Sequence, residues 1–114
     1  MSLNKKQVIF TRTVGVWLGK VDKKGIEVIL AEVYRPPAMA KIYAEQGKGI
    51  VNSVHTKKLA FDAFIYLNGT VTWNAEDYRE IGELWKSLHP LARWGGDFKG
   101  RDAVHFSFEH NGVK

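Results

Sequence analysis

An aspartate inside an apolar run is the first residue that invites chemistry. Asp62 lies within LAFDAFIYL, residues 59–67. In a strand it shares a face with Ala60, Phe64 and Tyr66. A carboxylate buried there is costly unless it is paired, hydrogen-bonded or bound to a metal. The ordinary alternative is a carboxylate held by backbone amides or by an arginine. His55 stands seven residues earlier, at the end of a Gly-containing loop, and His105 lies between Val104 and Phe106 in a later apolar run. Two imidazoles and one carboxylate suffice for a catalytic zinc, with a fourth position left for water. A hydrolytic site also needs a general base near that water, and Asp102, three residues before His105, is chemically suitable. Each residue alone is weak evidence, since a lone His near a strand is more often structural. The set matters because it takes two of the four histidines. The other two look dispensable: His89 precedes Pro90 at a helix end, and His110 lies beside Asn111 and Gly112.

The elements that must position these residues are partly legible. Phe10, Val14, Trp17, Leu18 and Val21 recur at helical spacing within residues 8–24, and Gly25 ends the pattern. The Val and Thr content leaves a strand possible there. Ile26 to Val33 is apolar and β-prone, which predicts a buried strand. Pro36 and Pro37 open a second helix that continues through Ala38 to Gln46 and closes at Gly47 and Gly49. Residues 47–54 read as a loop. Leu59 to Leu67 reads as a strand, Asn68-Gly69 as a hairpin turn, and Val71 to Trp73 as a short return strand. Asn74 caps a helix with Glu76 and Asp77 in its first turn and an apolar stripe of Tyr78, Ile81, Leu84, Trp85 and Leu88. Trp94 to Asp97 reads as a loop and Ala103 to Phe108 as a last strand. Helices and strands do not alternate regularly, so the fold class is α+β with a small, mostly antiparallel sheet flanked by helices.

With 114 residues the chain predicts a single domain, 1–114, without room for a separate binding domain. Hydrophobic residues make up 45% and aromatics 12%, enough for a core and against disorder. No apolar run approaches the roughly 18 residues a membrane span needs, and no secretory signal peptide is visible, so synthesis in the cytoplasm without membrane insertion is expected. The absence of cysteine excludes disulfides and thiolate metal sites. Seventeen basic against twelve acidic residues give a net charge of +5, dispersed in short pairs such as Lys57-Lys58. That fits a soluble surface or an anionic partner, and no nucleic-acid motif accompanies it.

Four stretches resemble one family. Ser53 to Asp62 (SVHTKKLAFD) is similar to the SxHxxxxAxD motif of zinc-dependent peptidoglycan peptidases. These are the DD-carboxypeptidases, the D-alanyl-D-alanine dipeptidases and the L-alanyl-D-glutamate endopeptidases of phage endolysins. Asp102 to Phe106 (DAVHF) resembles the second motif, DxxHF or ExxHF. Trp94 to Phe98 (WGGDF) is similar to the WGGDW segment of the endolysin branch. Tyr34-Arg35 with Ile42 to Gly49 resembles the YRT…LYxQGKS stretch. The resemblance runs from about Phe10 to about Gly112.

It implies a Hedgehog/DD-peptidase-like fold, a Zn2+ cofactor and a peptidoglycan stem-peptide substrate for a monomeric enzyme that acts on the wall after release at lysis. His55, Asp62 and His105 match the zinc ligands, and Asp102 matches the acid/base. Arg35 matches an arginine that helps neutralise the carbonyl oxygen; its ordinary role is an ion-pairing or surface residue. Ser53 matches a serine lining the substrate side; its ordinary role is to shape the loop by a local bond. Trp94 and Asp97 read as scaffold. Aspartate at 102 resembles the L-alanyl-D-glutamate endopeptidases, with D-alanyl-D-alanine carboxypeptidase as the nearest alternative. An inert zinc- or ligand-binding domain of the same fold and a basic nucleic-acid-binding module are the other classes; the second would need neither Asp62 nor His105 in apolar strands. Three departures bear on substrate contacts: Pro36-Pro37 after Arg35, Lys57-Lys58 before Leu59, and Ser107 after His105-Phe106.

Overall fold

The computed structural model describes residues 1–114. Helix α1, Leu3–Lys23, begins where the Ser2 hydroxyl accepts a hydrogen bond from the Lys5 amide. It starts well before the predicted periodicity, because its first turns are exposed and polar. Phe10, Thr13, Trp17 and Val21 form its buried stripe. Strand β1, Glu27–Leu30, follows, then α2, Pro37–Glu45, which has Pro37 at its first position. A 3-10 turn, Val54–Lys57, leads into β2, Ala60–Leu67, and the Asn68-Gly69 turn returns the chain as β3, Thr70–Val71. Both turn residues have positive φ, 53° and 84°, as a two-residue hairpin requires. Helix α3, Ala75–Ser87, is capped by the Asn74 side chain on the Glu76 amide. Strand β4, Ala92–Trp94, a 3-10 turn, Gly95–Asp97, and β5, His105–Phe108, complete the chain.

The strands form one antiparallel sheet in the order β1-β2-β5-β4, with β3 also on β2. Three helices and this sheet make the α+β architecture that the element pattern predicts. Phe61, Ala63 and Ile65 of β2 face the core, while Asp62 and Phe64 point the other way. Phe10, Trp17, Phe61, Trp85, Phe106 and Phe108 interlock there at ring-centroid distances of 4.9–6.4 Å. Each buried indole N–H is satisfied: Trp17 donates to the Ile81 carbonyl, Trp85 to Ser107 and Trp94 to Ala103. The Tyr78 hydroxyl accepts from the Ile65 amide and donates to the Thr72 carbonyl, tying α3 to the hairpin.

Three sequence expectations are corrected. Only Glu27–Leu30 of the Ile26–Val33 run is strand, and it is an edge strand, not a buried one, with Ile29 and Leu30 46% and 48% exposed. Apolar composition did not bury it, because only β2 pairs with it and only Ile26 and Val28 pack on the core. Strand β4 takes in Ala92 and Arg93, for which the sequence predicts no element, and Trp94, the first residue of the predicted loop; three residues are too few to show a period. The return strand ends at Val71, which leaves Trp73 71% exposed against Phe64.

Gly82 of α3 lies against the flat face of Trp94. A Cβ there would stand 2.2 Å from the indole Cδ2. Gly82→Ala should therefore lower stability by about 1–3 kcal/mol through overpacking. The measurement is urea unfolding, with a lower midpoint at unchanged slope.

Candidate metal centre

Asp62 sits in the middle of the sheet, with hydrogen bonding on both flanks. Its amide donates to the Glu32 carbonyl, and its carbonyl accepts from the Ala31 amide. On the other side its register partner in β5 is His105. The backbone is thus fixed, and the carboxylate emerges from the face opposite the aromatic core.

His55 reaches the same point from the 3-10 turn. Ser53 caps that turn by accepting from the His55 amide at 3.2 Å, and the Arg35 amide donates to the His55 carbonyl at 3.1 Å. The buried His55 ring places Nδ1 3.0 Å from the Val33 carbonyl. That partner accepts only from an N–H, so Nδ1 carries a proton, and in the neutral ring Nε2 keeps its lone pair. Nε2 lies 3.3 Å from Asp62 Oδ1, and His105 Nδ1 lies 3.7 Å from the same oxygen.

These contacts leave Asp62 Oδ1 buried with no aligned hydrogen-bond donor, and the other ring nitrogen of His105, Nε2, is buried without a partner. The three ligand atoms lie within 4.8 Å of one another. Tetrahedral zinc with bonds of about 2.0–2.1 Å separates its ligands by roughly 3.4 Å. The observed spacings suit atoms arranged around a shared cation better than atoms bonded to each other, and the two-imidazole, one-carboxylate donor set suits zinc. His55, Asp62 and His105 could therefore hold a metal ion.

The surrounding cleft has a volume of about 250 Å³ and includes Arg35, Lys48, Ser53, Phe98 and Asp102 as well as the three central residues. Asp102 is placed by a tight backbone crossing. Its amide donates to the Gly95 carbonyl at 2.8 Å, and its carbonyl accepts from the His105 amide at 3.0 Å. Although the residue is exposed overall, burial of its carboxyl against the cleft raises its pKa; the charge of Asp62 adds to this and His105 opposes it. Burial also works to lower the His55 pKa, but Asp62 and the Val33 carbonyl outweigh it and the net direction is upward. For Asp62, burial pushes upward, and the nearness of His105 and His55 pulls further down, to about 2.

Arg35 lines the cleft and is also ion-paired. Its Nε and Nη2 donate to Glu32 Oε1, and its guanidinium lies 5.1 Å from the Tyr43 ring centroid. Ser53 likewise does both things expected of it, shaping the turn and lining the cleft. Glu32 went unnoticed in the sequence; its only local signal is its position three residues before Arg35. The remaining histidines are elsewhere: His89 Nδ1 accepts from the Leu91 amide, and His110 Nδ1 lies 2.9 Å from Lys6 Nζ. Trp94 is buried scaffold, and Asp97 accepts from Lys86 at 2.6 Å.

The family model described as D-alanyl-D-alanine carboxypeptidase matches residues 46–108, more than half of the chain. The chain belongs to this family of peptidoglycan peptidases. The matched stretch carries Ser53, His55, Asp62, Asp102 and His105, while Arg35 lies outside it. Among solved structures, the L-Ala D-Glu endopeptidase ChiX of Serratia marcescens is similar in fold, with a TM-score of 0.65 and 22% identity over 74% of this chain and 68% of that one. No curated protein sequence matches the chain.

Two outcomes test this geometry. A Cβ on Gly95 would stand 2.0 Å from the Asp102 carbonyl oxygen and 3.0 Å from His105 Cβ. Gly95→Ala should thus push the Asp102–His105 segment out of place and weaken zinc binding at least tenfold, measured by competition with a chromogenic chelator. The depressed carboxyl of Asp62 stabilises the metal-free fold above its unfolded pKa of 3.8, and that contribution disappears as pH falls through about 2. Its full size is on the order of 2 kcal/mol. Metal-free Asp62→Asn should be less stable than the parent by about that amount near pH 6. The gap should close between about pH 4 and pH 2 in urea unfolding.

Proposed function

We propose that the chain is a zinc-dependent peptidase that cleaves the L-alanyl-D-glutamate bond of peptidoglycan stem peptides. The observation that carries this reading is the convergence of His55, Asp62 and His105 on one point, in a cleft that also holds Asp102 and Arg35. The zinc ion, when bound by those three residues, supplies Lewis acidity, making water nucleophilic near neutral pH and polarising a carbonyl.

The chain's own residues supply the rest. Asp102 accepts the proton of the attacking water and passes it to the leaving amine. Its raised pKa moves it toward the working pH, as proton exchange in both directions requires. Arg35 presents a cation to the carbonyl oxygen as negative charge develops there. Glu32 and Tyr43 hold that guanidinium in one place, so little reorganisation is needed. The Val33 carbonyl keeps His55 in the tautomer whose Nε2 can bind the ion.

Aspartate at position 102 and the likeness in fold to ChiX favour the L-alanyl-D-glutamate bond. The description of the matching family favours a second reading, the terminal D-alanyl-D-alanine bond. Mass spectrometry of fragments released from purified peptidoglycan separates the two. Peptides that begin with D-glutamate support the first reading, and free D-alanine supports the second. A chelator should abolish release. Asp102→Ala should keep one zinc per chain and lose activity about 10²–10⁴-fold. No release from several wall types by the zinc-loaded protein would leave it a binding domain.

A further inference from the structure

The cleft carries more positive charge than the proposed chemistry uses. Arg35, Lys48 and Lys114 line it, against Asp62 and Asp102. Arg35 is answered by Glu32. The two aspartates are taken up as metal ligand and proton acceptor. Lys48 and Lys114 are left without a carboxylate partner; the Lys114 ammonium lies only over the Phe98 ring, 5.6 Å from its centroid.

Lys48 is also the better anchored of the two. The Gly47 amide donates to the Ala44 carbonyl and the Lys48 amide to the Tyr43 carbonyl, with Gly47 at φ +72°. This is the left-handed turn that ends α2, and it fixes where the Lys48 side chain leaves the backbone. The next residue, Gly49, packs so closely on Arg35 that a Cβ would stand 3.1 Å from Nη1. Lys48, which lines the cleft, thus belongs to a segment seated directly on the guanidinium assigned to the scissile carbonyl.

The two candidate bonds share one chemical feature. In a D-alanyl-D-alanine terminus, the departing residue bears a free carboxylate on the carbon attached to the leaving nitrogen. In a stem peptide, glutamate continues through its γ-carboxyl, so its α-carboxylate occupies the same position. An ordinary α-linked peptide has an amide there. We propose that Lys48, assisted by Lys114, binds this free carboxylate, so that the protein selects stem peptides in which it is not amidated. The inference rests on the stem-peptide reading above but not on which of the two bonds is cut. A charge-assisted bond to a carboxylate is lost when the acceptor becomes a neutral carboxamide.

The test is calorimetric titration of the zinc-loaded protein carrying Asp102→Asn, which prevents turnover. The probes are two peptide pairs. One is L-alanyl-γ-D-glutamyl-L-lysine with its glutamate α-carboxyl free or amidated. The other is acetyl-D-alanyl-D-alanine with a free or amidated terminus. The free form of at least one pair should bind about tenfold tighter. Adding Lys48→Met should reduce that preference to within about twofold, and Lys48→Arg should restore most of it, with zinc content and melting temperature unchanged in both. Equal affinity within each pair, or a preference that survives Lys48→Met, would overturn the inference and leave the proposed function standing. Failure of all four peptides to bind would overturn both.

Discussion

A carboxylate in the central part of a sheet sets the terms for this molecule. Asp62 is flanked on one side by Ala31 and Glu32 and on the other by His105, so it cannot turn out to solvent without breaking the sheet. Its ionised form must be compensated where it stands. The nearness of the two imidazoles holds its pKa down at about 2 in the metal-free protein, yet Oδ1 still lacks an aligned hydrogen-bond donor. The same two imidazoles and the same oxygen form the donor set for a cation. The compensation that the fold needs and the ligand set that the chemistry needs are one arrangement.

The aromatic core matters to the site through its rigidity. Phe61 is buried against Trp17 and Phe106, and its neighbour Asp62 faces the other way. Strand alternation converts tight packing on one face into fixed placement on the other. The Trp94 indole binds the Ala103 carbonyl, next to Asp102, and Gly95 lets the backbone cross itself at that residue. The candidate base is thus held from the scaffold side, although it lies in an irregular segment. The 3-10 turn that carries His55 is held in a similar way, by Ser53 within the turn and by Arg35 and Val33 across from it.

Much of the fold was legible in local patterns. The Asn74 cap, the stripe of α3, Pro37 at the start of α2 and the Asn68-Gly69 turn are short-range signals, and each appears where the spacing predicts it. The misread elements lack such signals. Ile26 to Val33 looks buried because it is apolar, yet burial depends on what covers a strand, and β1 is an edge. The brief β4 exists because β5 offers it partners, not because its three residues favour it. Glu32 shows the same limit in the cleft. Nothing in its neighbours marks it, and its role follows from Arg35 and His55 folding over it.

By itself the sequence determined the chemical inventory: Asp62 and His105 in apolar runs, His55 at a loop end, Asp102 three residues before His105, no thiol, and the motif order that joins them to a family. It also determined the helices and the main strand, because periodicity and capping act over a few residues. Only the tertiary structure decided that His55, Asp62 and His105 meet. Asp62 and His105 become neighbours through the β2–β5 register, and one residue of slip would turn either side chain to the opposite face. The charge state of the cleft was decided there as well. Whether Arg35, Lys48 or Glu32 is paired or free depends on contacts between segments that no local pattern encodes.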